Sequence, residues 1–370
     1  MFLARRNLFQ DKTRLALSIG GVALAVMLIL LLNGFLTGMN RQITSYVDHS
    51  PGSLMVAQKG VRNLLGATSI LPPGAAGEVE AVDGVEEVVP ILSQFIILDL
   101  HGKKQPAYMI GYEPGGAVGQ GGGPWQLNAG REPATDTEMV FDSILARRHD
   151  LQIGDTFEIM GQDFTIVGLS DGTTSWMTSF FFIRSAAAEK LLRAPKAVSF
   201  LLVTPTGGSA SEDLLGRLNE LPGLNALTKD ELSANDLKLF AKVFSAPLKL
   251  MVGIAFLVGT MIVGLVIYTA TVERQREYGV LKAIGAANRI LYRVVVTQAL
   301  VAAVTGALFG VLLAYAAGLW IISVRPQFLI VFDPRDVLWA LLAGLGMALA
   351  AALFPARVVT GLAPAEVFRK

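Results

Sequence analysis

The sequence contains no cysteine, which excludes disulfide bonds, thiolate metal sites and cysteine nucleophiles together. Charged residues are also scarce: they make up 16% of the 370 residues, whereas soluble globular domains carry about 25%. Apolar residues reach 52%, so a membrane protein is the first class to test. The formal net charge of +1 argues against electrostatic capture of nucleic acid by the whole chain.

Two motifs for catalysis are missing as well: there is no Walker A sequence and no His-Glu-x-x-His. The three histidines, His49, His101 and His149, are far apart in sequence, so we expect surface or turn positions rather than a metal cluster. The glycine tract at 119–125 lacks the Gly-Lys-Ser/Thr of a phosphate loop, and we expect a surface loop there. The sequence therefore predicts no enzyme, and no cofactor or metal site in this chain.

Long apolar runs are the main feature that is present. They cover residues 15–35, 250–271, 294–324 and 337–355, and none of them contains a charged side chain. Each is close to or above the length of about 20 residues that a transmembrane helix needs. The first run is longer than the core of a secretory signal, which predicts an uncleaved anchor. Because the runs carry no Asp, Glu, Lys, Arg or His, they lack the usual parts of a proton relay or an ion-coupled carrier.

The positions of lysine and arginine predict the orientation. These residues precede the first run, separate the second from the third and follow the fourth. Since basic residues are enriched in cytoplasmic flanks, we expect both termini in the cytoplasm. The predicted segments are an interfacial helix at 1–14, spans at 15–38, 247–271, 294–324 and 337–355, an external domain at 39–240, a cytoplasmic loop at 272–293, an external loop at 325–336 and a cytoplasmic tail at 356–370.

The long insert after the first span has the pattern of a folded domain. Strand-like runs at 52–60, 93–113, 154–172 and 198–205 are broken by turn residues. Helical spacing of apolar residues marks the two runs at 138–151 and 185–194. The sequence therefore predicts a membrane protein with four transmembrane α-helices and a large α+β extracytoplasmic domain inserted between helices 1 and 2.

The polar segment ERQREYGVLKAIGAANRI, at 273–290, lies between the second and third spans. A helical wheel separates its apolar from its basic residues, with Val280, Ile284 and Leu291 on one side and Lys282, Arg289 and Arg293 on the other. This pattern predicts an amphipathic helix or pair of helices, with a turn at 285–288. The alternative is a solvated interfacial loop whose basic residues only satisfy the orientation rule.

This segment, extended to residue 300, resembles the region after the second span in MacB/FtsX/LolC-type permeases of ABC transporters, the type VII or mechanotransmission superfamily. The family pattern R-x-x-E-I-G-V-L-R-A-x-G-A is followed from Arg274 or Arg276, with Tyr278 in place of Ile and Lys282 in place of Arg. PARVVTGLAPAEVFRK at the end of the chain resembles the closing motif of the family. Residues 143–169 resemble its outer-domain strand region, with Asp150 where glycine is frequent.

The resemblance implies that the segment is a coupling helix, which sits in a groove of a separate ATPase. The residues that it assigns to ATPase coupling are Arg276, Glu277, Gly279, Val280, Leu281, Lys282, Ala283, Ile284, Gly285 and Ala286. Val280, Leu281 and Ile284 are the expected apolar contacts. Glu277 and Lys282 are the expected polar contacts, and the two glycines serve close approach. ATP and Mg²⁺ are expected in the partner ATPase, since this chain has no nucleotide motif.

The family also implies a role and a set of partners. We expect a permease subunit that drives export or extraction of an amphiphile, peptide, antibiotic or lipid-linked substrate at the outer side of the membrane. The alternatives are an FtsX-like signalling subunit that acts on an external partner such as a cell-wall hydrolase, lipoprotein extraction and haem export. The expected partners are an ABC ATPase, a second permease chain (an identical copy or a paralogue), membrane lipids and, in some branches, a periplasmic adaptor or an external hydrolase.

Small residues recur along the third span and suit close packing against neighbouring helices. They are Gly306, Ala307, Gly310, Ala314, Ala317 and Gly318. Filling the protein's own helical bundle is the alternative to a contact with another chain.

Overall fold

A computed structural model describes residues 12–176, 178–208, 211–273 and 275–361. The expected interfacial helix at 1–14 and the expected tail at 356–370 therefore lie largely outside the described residues. The chain consists of two compact units, with boundaries between Gly38 and Met39 and between Val243 and Phe244. We call the unit that contains the chain ends the helical unit, and Met39–Val243 the sheet domain.

Long helices lie at both ends of the described chain, and the strands lie between them together with shorter helices. The helices are α1 (Lys12–His49), α2 (Ala75–Glu80), α3 (Ser143–Arg148), α4 (Ser185–Leu192), α5 (Glu212–Glu220), α6 (Lys229–Glu273), α7 (Gln275–Ala283), α8 (Asn288–Val324) and α9 (Pro334–Gly361). The strands are β1 (Leu54–Gln58), β2 (Val85–Leu100), β3 (Lys103–Tyr112), β4 (Leu127–Gly130), β5 (Glu138–Asp142), β6 (Thr156–Ile159), β7 (Gln162–Ser170), β8 (Thr174–Ser175), β9 (Thr178–Arg184), β10 (Phe200–Pro205) and β11 (Leu224–Thr228).

Four helices of the described chain, α1, α6, α8 and α9, are long and apolar enough to cross a membrane. Two of them continue well beyond their apolar runs, since α1 ends only at His49 and α6 begins at Lys229. At a rise of 1.5 Å per residue these helices measure about 57 and 68 Å, roughly twice the hydrocarbon core of a bilayer. Hydropathy detects only the lipid-facing part of such a helix. The extension of α1 is helical because it buries Met39, Ile43, Tyr46 and Val47 on one side.

Close packing in the helical unit depends on glycines of α8. A Cβ added at Gly306 would lie 2.7 Å from the carbonyl oxygen of Ile19, and one at Gly310 would lie 2.7 Å from that of Ala23. Since real Cβ atoms do not approach this closely, α1 and α8 require glycine at both positions. Ala307 is likewise buried in the core of this unit. The small residues of the third span therefore pack within the protein's own bundle.

The connection between α8 and α9 folds over the end of the apolar part of α1. In the first turn of α9, the Asp336 carboxylate accepts a hydrogen bond from the hydroxyl of Thr37 at 3.2 Å. A side chain at Gly38 would overlap the carbonyl group of Leu329. This connection therefore holds α1 through contacts that leave no room for a larger residue at Gly38.

Nine of the described strands form one continuous series of pairings, in the order β11-β1-β10-β2-β3-β9-β5-β7-β4, while β6 pairs with β7 and β8 with β9. The long strand β2 joins its two halves, because residues 85–91 pair with β10 and residues 92–100 pair with β3. Most pairs are antiparallel, and β3 with β9 and β5 with β7 are parallel. Helices α3 and α4 contribute to the core on one half of the sheet, and α2 and α5 to the core on the other.

Residues 138–142 differ from the prediction, since they form β5 and only Ser143–Arg148 is helical. This strand pairs with both β7 and β9, so its residues 139–142 are buried on both faces. A continuous apolar run of this kind does not distinguish a central strand from a helix. The change of structure falls at Asp142, whose carboxylate caps α3 by accepting a hydrogen bond from the Leu145 amide at 2.8 Å.

The glycine tract is also placed differently from the expected surface loop. Gly122 and Gly123 are buried, and the Gly122 carbonyl accepts a 2.6 Å hydrogen bond from the Tyr46 hydroxyl of α1. A side chain at Gly123 would overlap the ring of Tyr112. Glycine is therefore present because aromatic rings cover the tract. Asp150 has a φ of 55°, a left-handed conformation that explains the frequency of glycine there in the family motif.

Candidate functional site

Helix α7 and the turn after it carry the residues predicted to couple to an ATPase. The helix ends at Ala283, and Gly285 adopts a φ of 95°, which favours glycine. Two backbone hydrogen bonds close the turn, from the Ile284 amide to the Val280 carbonyl at 3.1 Å and from the Gly285 amide to the Lys282 carbonyl at 3.0 Å. The predicted turn is confirmed, although Asn288 already belongs to α8.

One side of this helix faces away from the protein. Its exposed residues follow the i, i+1, i+4, i+7, i+8 pattern of a single helical face. They are Arg276, Glu277, Val280, Ala283 and Ile284. Val280 is 46% exposed and Ile284 is 76% exposed, which is high for aliphatic side chains. An exposed apolar centre with charged residues at one end suits docking into a groove of another protein.

The opposite side of α7 fixes the helix to the helical unit. Tyr278 is 3% exposed and belongs to the core of that unit, together with Leu291 and Val295 of α8. Gly279 is buried as well, so it faces the protein's own bundle. Tyr278 was not among the predicted site residues. Its spacing could have identified it, because Tyr278 precedes the exposed Val280 by two residues and Ile284 by six. Both spacings place it on the other side of a helix.

The remaining predicted residues take different positions. Leu291 is fully buried, so its predicted grouping with Val280 and Ile284 is wrong. The break at 284–287 separates α7 from α8, and a helical period does not continue across it. Lys282 and Ala286 are half-buried, and Gly285 is exposed. The side chain of Leu281 and the whole of Arg274 lie outside the described residues.

At their other ends, α1 and α6 are joined to the sheet domain by neighbouring strands. Strand β1 follows α1 after four residues, and β11 immediately precedes α6. These strands pair antiparallel with Leu54 opposite Thr228, which places the end of one helix beside the start of the other. The ammonium group of Lys229, the first residue of α6, donates a hydrogen bond to the Ser50 carbonyl. The outer ends of both helices are thus anchored in one pair of strands.

The first turns of α6 also hold the segment that follows β1. Asp236 is completely buried, and its carboxylate accepts hydrogen bonds from the backbone amides of Leu64 and Leu65 at 3.2 and 3.1 Å. The neighbouring Asn235 donates from its side-chain amide to the Arg62 carbonyl at 2.9 Å. These bonds tie residues 62–65 to the first turns of α6.

Polar clusters elsewhere in the sheet domain have structural roles. Asp142 is buried, and burial raises the pKa of its carboxyl group. Hydroxyl groups surround it, with the nearest contact at 2.8 Å from Thr173 and further bonds from Thr174 and Ser179. They hold the β8–β9 hairpin against the end of β5. Among the residues that the structure describes, no group of three or more histidine, aspartate or glutamate side chains is placed to hold a metal ion.

Two family models match this chain. Residues 15–221 match the MacB-like periplasmic core domain, and residues 249–364 match the FtsX-like permease C-terminal region. The first model alone covers more than half of the sequence, and the second contains α7. The chain belongs to the MacB/FtsX-type family of ABC transporter permeases. The resemblance expected from the 273–300 segment is confirmed.

This chain is similar to several proteins named as permeases, and the similarity extends over most of the length of each. An uncharacterized ABC transporter permease of Mycobacterium tuberculosis is 26% identical over 315 residues, 85% of each chain. One from Mycobacterium bovis is 25% identical over 317 residues, also 85% of each chain. A putative hemin transport system permease protein, HrtB, of Staphylococcus epidermidis is 21% identical over 304 residues, 80% of each chain.

Two solved structures are similar to about half of this chain. The periplasmic region of MacB from Actinobacillus actinomycetemcomitans matches at 13% identity, covers 50% of this chain and 92% of its own, and has a TM-score of 0.35. The extracellular domain of YknZ from Gram-positive bacteria matches at 13% identity, covers 48% of this chain and 99% of its own, and has a TM-score of 0.33.

This MacB/FtsX-type permease is a multi-pass membrane protein. Four transmembrane helices (α1, α6, α8 and α9) carry an α+β extracytoplasmic domain, the sheet domain, between the first and the second of them. This confirms the predicted fold class. The exposed face of α7 is the candidate contact of the permease with its ATPase. The anchored ends of α1 and α6 belong to the sheet domain.

Proposed function

We propose that this chain is the permease subunit that transmits ATP-driven motion from a separate ABC ATPase to the sheet domain. The motion drives export or extraction of an amphiphilic, peptide, antibiotic or lipid-linked substrate at the outer side of the membrane. One observation carries the proposal: α1 and α6 are each a single helix, and the end of each that is adjacent in sequence to the paired strands β1 and β11 belongs to the sheet domain. A displacement of either helix within the membrane therefore moves residues of the sheet domain that belong to the same helix.

Helix α7 is the part of the permease that receives the motion of the ATPase in this proposal. It follows α6 after one residue, and Tyr278 fixes it to the helical unit. Val280 and Ile284 point away from that unit and provide the apolar surface that fills a groove of the ATPase. Arg276, Glu277 and Lys282 provide polar contacts around it. Closing of the ATPase pair around nucleotide then moves α7, and α7 moves the inner end of α6.

The partner supplies the chemistry in this proposal. ATP and Mg²⁺ bind to the ATPase, and the permease uses no cofactor of its own. In this proposal the permease lies in a bacterial inner membrane with both termini and α7 in the cytoplasm, and the distribution of basic residues supports that orientation. Only a few kcal/mol of differential binding between nucleotide states are needed to bias a two-state membrane assembly.

The test is binding and substrate-dependent ATP turnover of the permease reconstituted with its ATPase. Ile284 is about three-quarters exposed, and full burial of an isoleucine side chain is worth about 1.5–3 kcal/mol. Losing about 2 kcal/mol weakens binding about 30-fold, and Ile284→Asp adds the cost of desolvating a charge. We expect the variant to fold, since the substituted side chain is exposed, and to lose ATPase binding together with substrate-stimulated turnover.

Val118 provides a matched control for a second substitution on α7, at Val280. Val280 is 46% exposed on α7, and Val118 is 45% exposed in the sheet domain. We expect Val280→Asp to weaken ATPase binding at least tenfold, and Val118→Asp to leave it unchanged. Normal complex formation and turnover in both α7 variants would show that α7 is not the contact.

A hemin cargo is a second candidate, because the relative HrtB is named as a putative hemin transport system permease. The same reconstituted system separates the candidates, since the true substrate class changes the ATP turnover at fixed nucleotide concentration. Hemin, lipopeptides and detergent-like antibiotics are the probes. A complex that responds to none of them, but responds to a purified cell-wall hydrolase, would favour the signalling alternative.

A further inference from the structure

The long strand β2 has an unpaired edge along its second half. Residues 92–100 pair with β3 on one side, and no described strand pairs with them on the other, because the pairing with β10 covers only residues 85–91. Strand β6 contributes Ile159 to the same core as Leu98, but among the described strands it pairs with β7 and not with β2. We call residues 95–99 the β2 edge.

The backbone groups of the β2 edge point away from β3. The Ser93 amide donates a hydrogen bond to the Ser199 hydroxyl at 3.1 Å, and the Ser93 carbonyl accepts one from the same hydroxyl at 3.2 Å. Since Ser199 directly precedes β10, both groups of Ser93 lie on the side opposite β3. This direction alternates along a strand, so the backbone groups of Phe95, Ile97 and Asp99 point the same way.

A second observation gives the same direction. Pro106 of β3 lies opposite Ile97, and a proline has no amide with which to bond across the ladder. A side-chain amide, that of Gln94, donates to the Phe95 carbonyl at 3.3 Å. No other described residue hydrogen-bonds to the outward backbone groups of the β2 edge. The β2 edge therefore offers donors and acceptors to an added strand.

The side chains of the same residues form an exposed apolar strip. Phe95 is 50% exposed and Ile97 is 64% exposed, whereas Ile96 between them is buried in the core. The strip ends at Asp99, which forms an exposed ion pair with Lys104 of β3 at 2.7 Å. An added strand therefore meets apolar side chains next to the backbone groups with which it pairs.

The two ends of the strand series are protected, in contrast to the β2 edge. At the β11 end, the Ala226 amide donates to the side-chain carbonyl of Asn219 at 2.9 Å, and the Ala226 carbonyl accepts from its side-chain amide at 3.2 Å. At the other end, β4 has only four residues and finishes at Gly130, whose φ is 79°. Natural sheets block their edges by short strands, charges or covering groups, and an apolar edge without them indicates a surface that another chain covers.

We propose that the β2 edge binds a transported peptide in extended form, which joins the sheet as an added strand. The inference rests on the proposed function, in which the sheet domain acts on a substrate at the outer side of the membrane, and it selects peptides among the substrate classes. Outward donors and acceptors recognise the backbone of many sequences, while Phe95 and Ile97 favour apolar side chains at alternate positions. An amphiphile without a peptide backbone uses only the apolar strip.

The size of the β2 edge favours a short peptide over a folded partner. Five residues of a strand span about 17 Å. A stable protein interface buries about 800 Å² and 20–30 residues on each side, which is far more than this edge offers. So small a contact releases its ligand readily, and a transport cycle requires such release.

Two probes separate backbone recognition from apolar adhesion. The first is a short fluorescent peptide of alternating threonine and valine, and the second is the same peptide with every backbone amide N-methylated, so that it no longer donates hydrogen bonds. Binding is measured by fluorescence anisotropy on the full permease with its ATPase in nanodiscs. ATP turnover is measured in the same samples.

Substitutions at Ile97 test the site itself. Ile97→Pro removes an outward amide that β3 does not use, and proline is tolerated at such edge positions. Ile97→Thr keeps the backbone and removes the apolar contact. The matched control is Ile70→Thr, because Ile70 is 55% exposed in another part of the sheet domain. The unfolding midpoint of each variant in detergent shows whether it has folded, and Ile97→Thr with the two probes decides the matter if Ile97→Pro has not.

We expect Ile97→Pro to weaken binding of the first probe by about tenfold or more, because a hydrogen bond is lost and the ring stands against the added strand. Its stimulation of ATP turnover is expected to disappear as well. Ile97→Thr is expected to weaken binding by a smaller factor, and Ile70→Thr to leave it unchanged. Equal binding of the N-methylated probe, or binding that both Ile97 variants leave unchanged, would overturn the proposal. Full stimulation of turnover in a folded Ile97→Pro would also overturn it, because a peptide at the edge would then not be the transported substrate.

Binding of the ATPase is measured separately with Ile284→Asp. If that variant loses the ATPase while the unmodified permease does not bind the first probe, the proposed function holds and the β2 edge is not a peptide site. If Ile284→Asp keeps the ATPase while the probe binds at the β2 edge, the site holds and the role assigned to α7 is wrong.

Discussion

The anchoring of α6 by Asp236 makes a quantitative prediction. Replacing Asp236 by alanine removes the acceptor of two backbone amides, those of Leu64 and Leu65. The Leu64 bond is buried and the Leu65 bond is partly buried, so water does not fully replace the lost acceptor. Asp236→Ala therefore leaves polar groups without partners in the sheet domain.

The cost follows from the two hydrogen bonds. A buried donor left without a partner costs about 1–3 kcal/mol. Two such donors lower the free energy of unfolding of the sheet domain by about 2–6 kcal/mol, a large part of the 5–15 kcal/mol that stabilises a typical domain. Asn235→Ala is the matched control. It removes one exposed hydrogen bond to the Arg62 carbonyl in the same segment, and we expect a loss below about 1 kcal/mol.

The assay is thermal unfolding of the full chain in detergent, together with amide hydrogen exchange of residues 61–71. Asp236→Ala is expected to lower the midpoint by several degrees, and to speed exchange of this segment before the sheet domain unfolds globally. Asn235→Ala is expected to change both observables only slightly. If the two variants unfold and exchange alike, Asp236 does not anchor α6 to this segment.

Two further predictions concern charge and packing. Arg131 bonds both carboxylate oxygens of Glu138, at 2.7 and 2.6 Å, and holds the pKa of that carboxyl down at about 2. Because the folded pKa is depressed, the ion pair stabilises the fold above about pH 4.5, and this stabilisation is lost as the pH falls towards 2. We therefore expect the unfolding midpoint of Glu138→Gln to fall less steeply between pH 4.5 and 2 than that of the unmodified protein. Gly38→Val forces a side chain into the Leu329 carbonyl and is expected to cost about 1–3 kcal/mol in detergent unfolding, whereas Gly20→Val, with no atom within 4 Å of its Cβ, costs less. An unfolding midpoint that depends on pH equally with and without Glu138→Gln would contradict the Arg131–Glu138 contact. Equal unfolding midpoints for Gly38→Val and Gly20→Val would contradict the contact at Gly38.

Membrane segments and the polar segment between them were predictable because their signals are local. Twenty consecutive apolar residues without charge have few structural uses other than a transmembrane helix. The turn after Ala283 follows from Gly285, since a left-handed residue is marked in the sequence by glycine itself. The period of α7 also predicted that Val280 and Ile284 share one face, and the structure places both at the surface.

Other predictions were wrong because their signals depend on distant residues. Residues 138–142 have the same apolar composition in a helix and in a central strand, and only the pairing of β5 with β7 and β9 decides between them. The glycine tract at 119–125 is polar in appearance, and only the rings of Tyr46 and Tyr112 make it part of a core. Leu291 follows a helical period that the turn before α8 interrupts.

The number of spans, the family and the amphipathic segment between the second and third spans could be predicted from the sequence, because hydropathy, glycine positions and helical period act over a few residues. Three contacts are visible only in the folded chain: Tyr278 fixes α7 to the bundle, small residues of α8 pack against α1, and Asp236 and Lys229 anchor α6. Each of these contacts joins residues far apart in the chain. Their energy depends on which groups exclude water from one another, and that is defined only when the chain has folded.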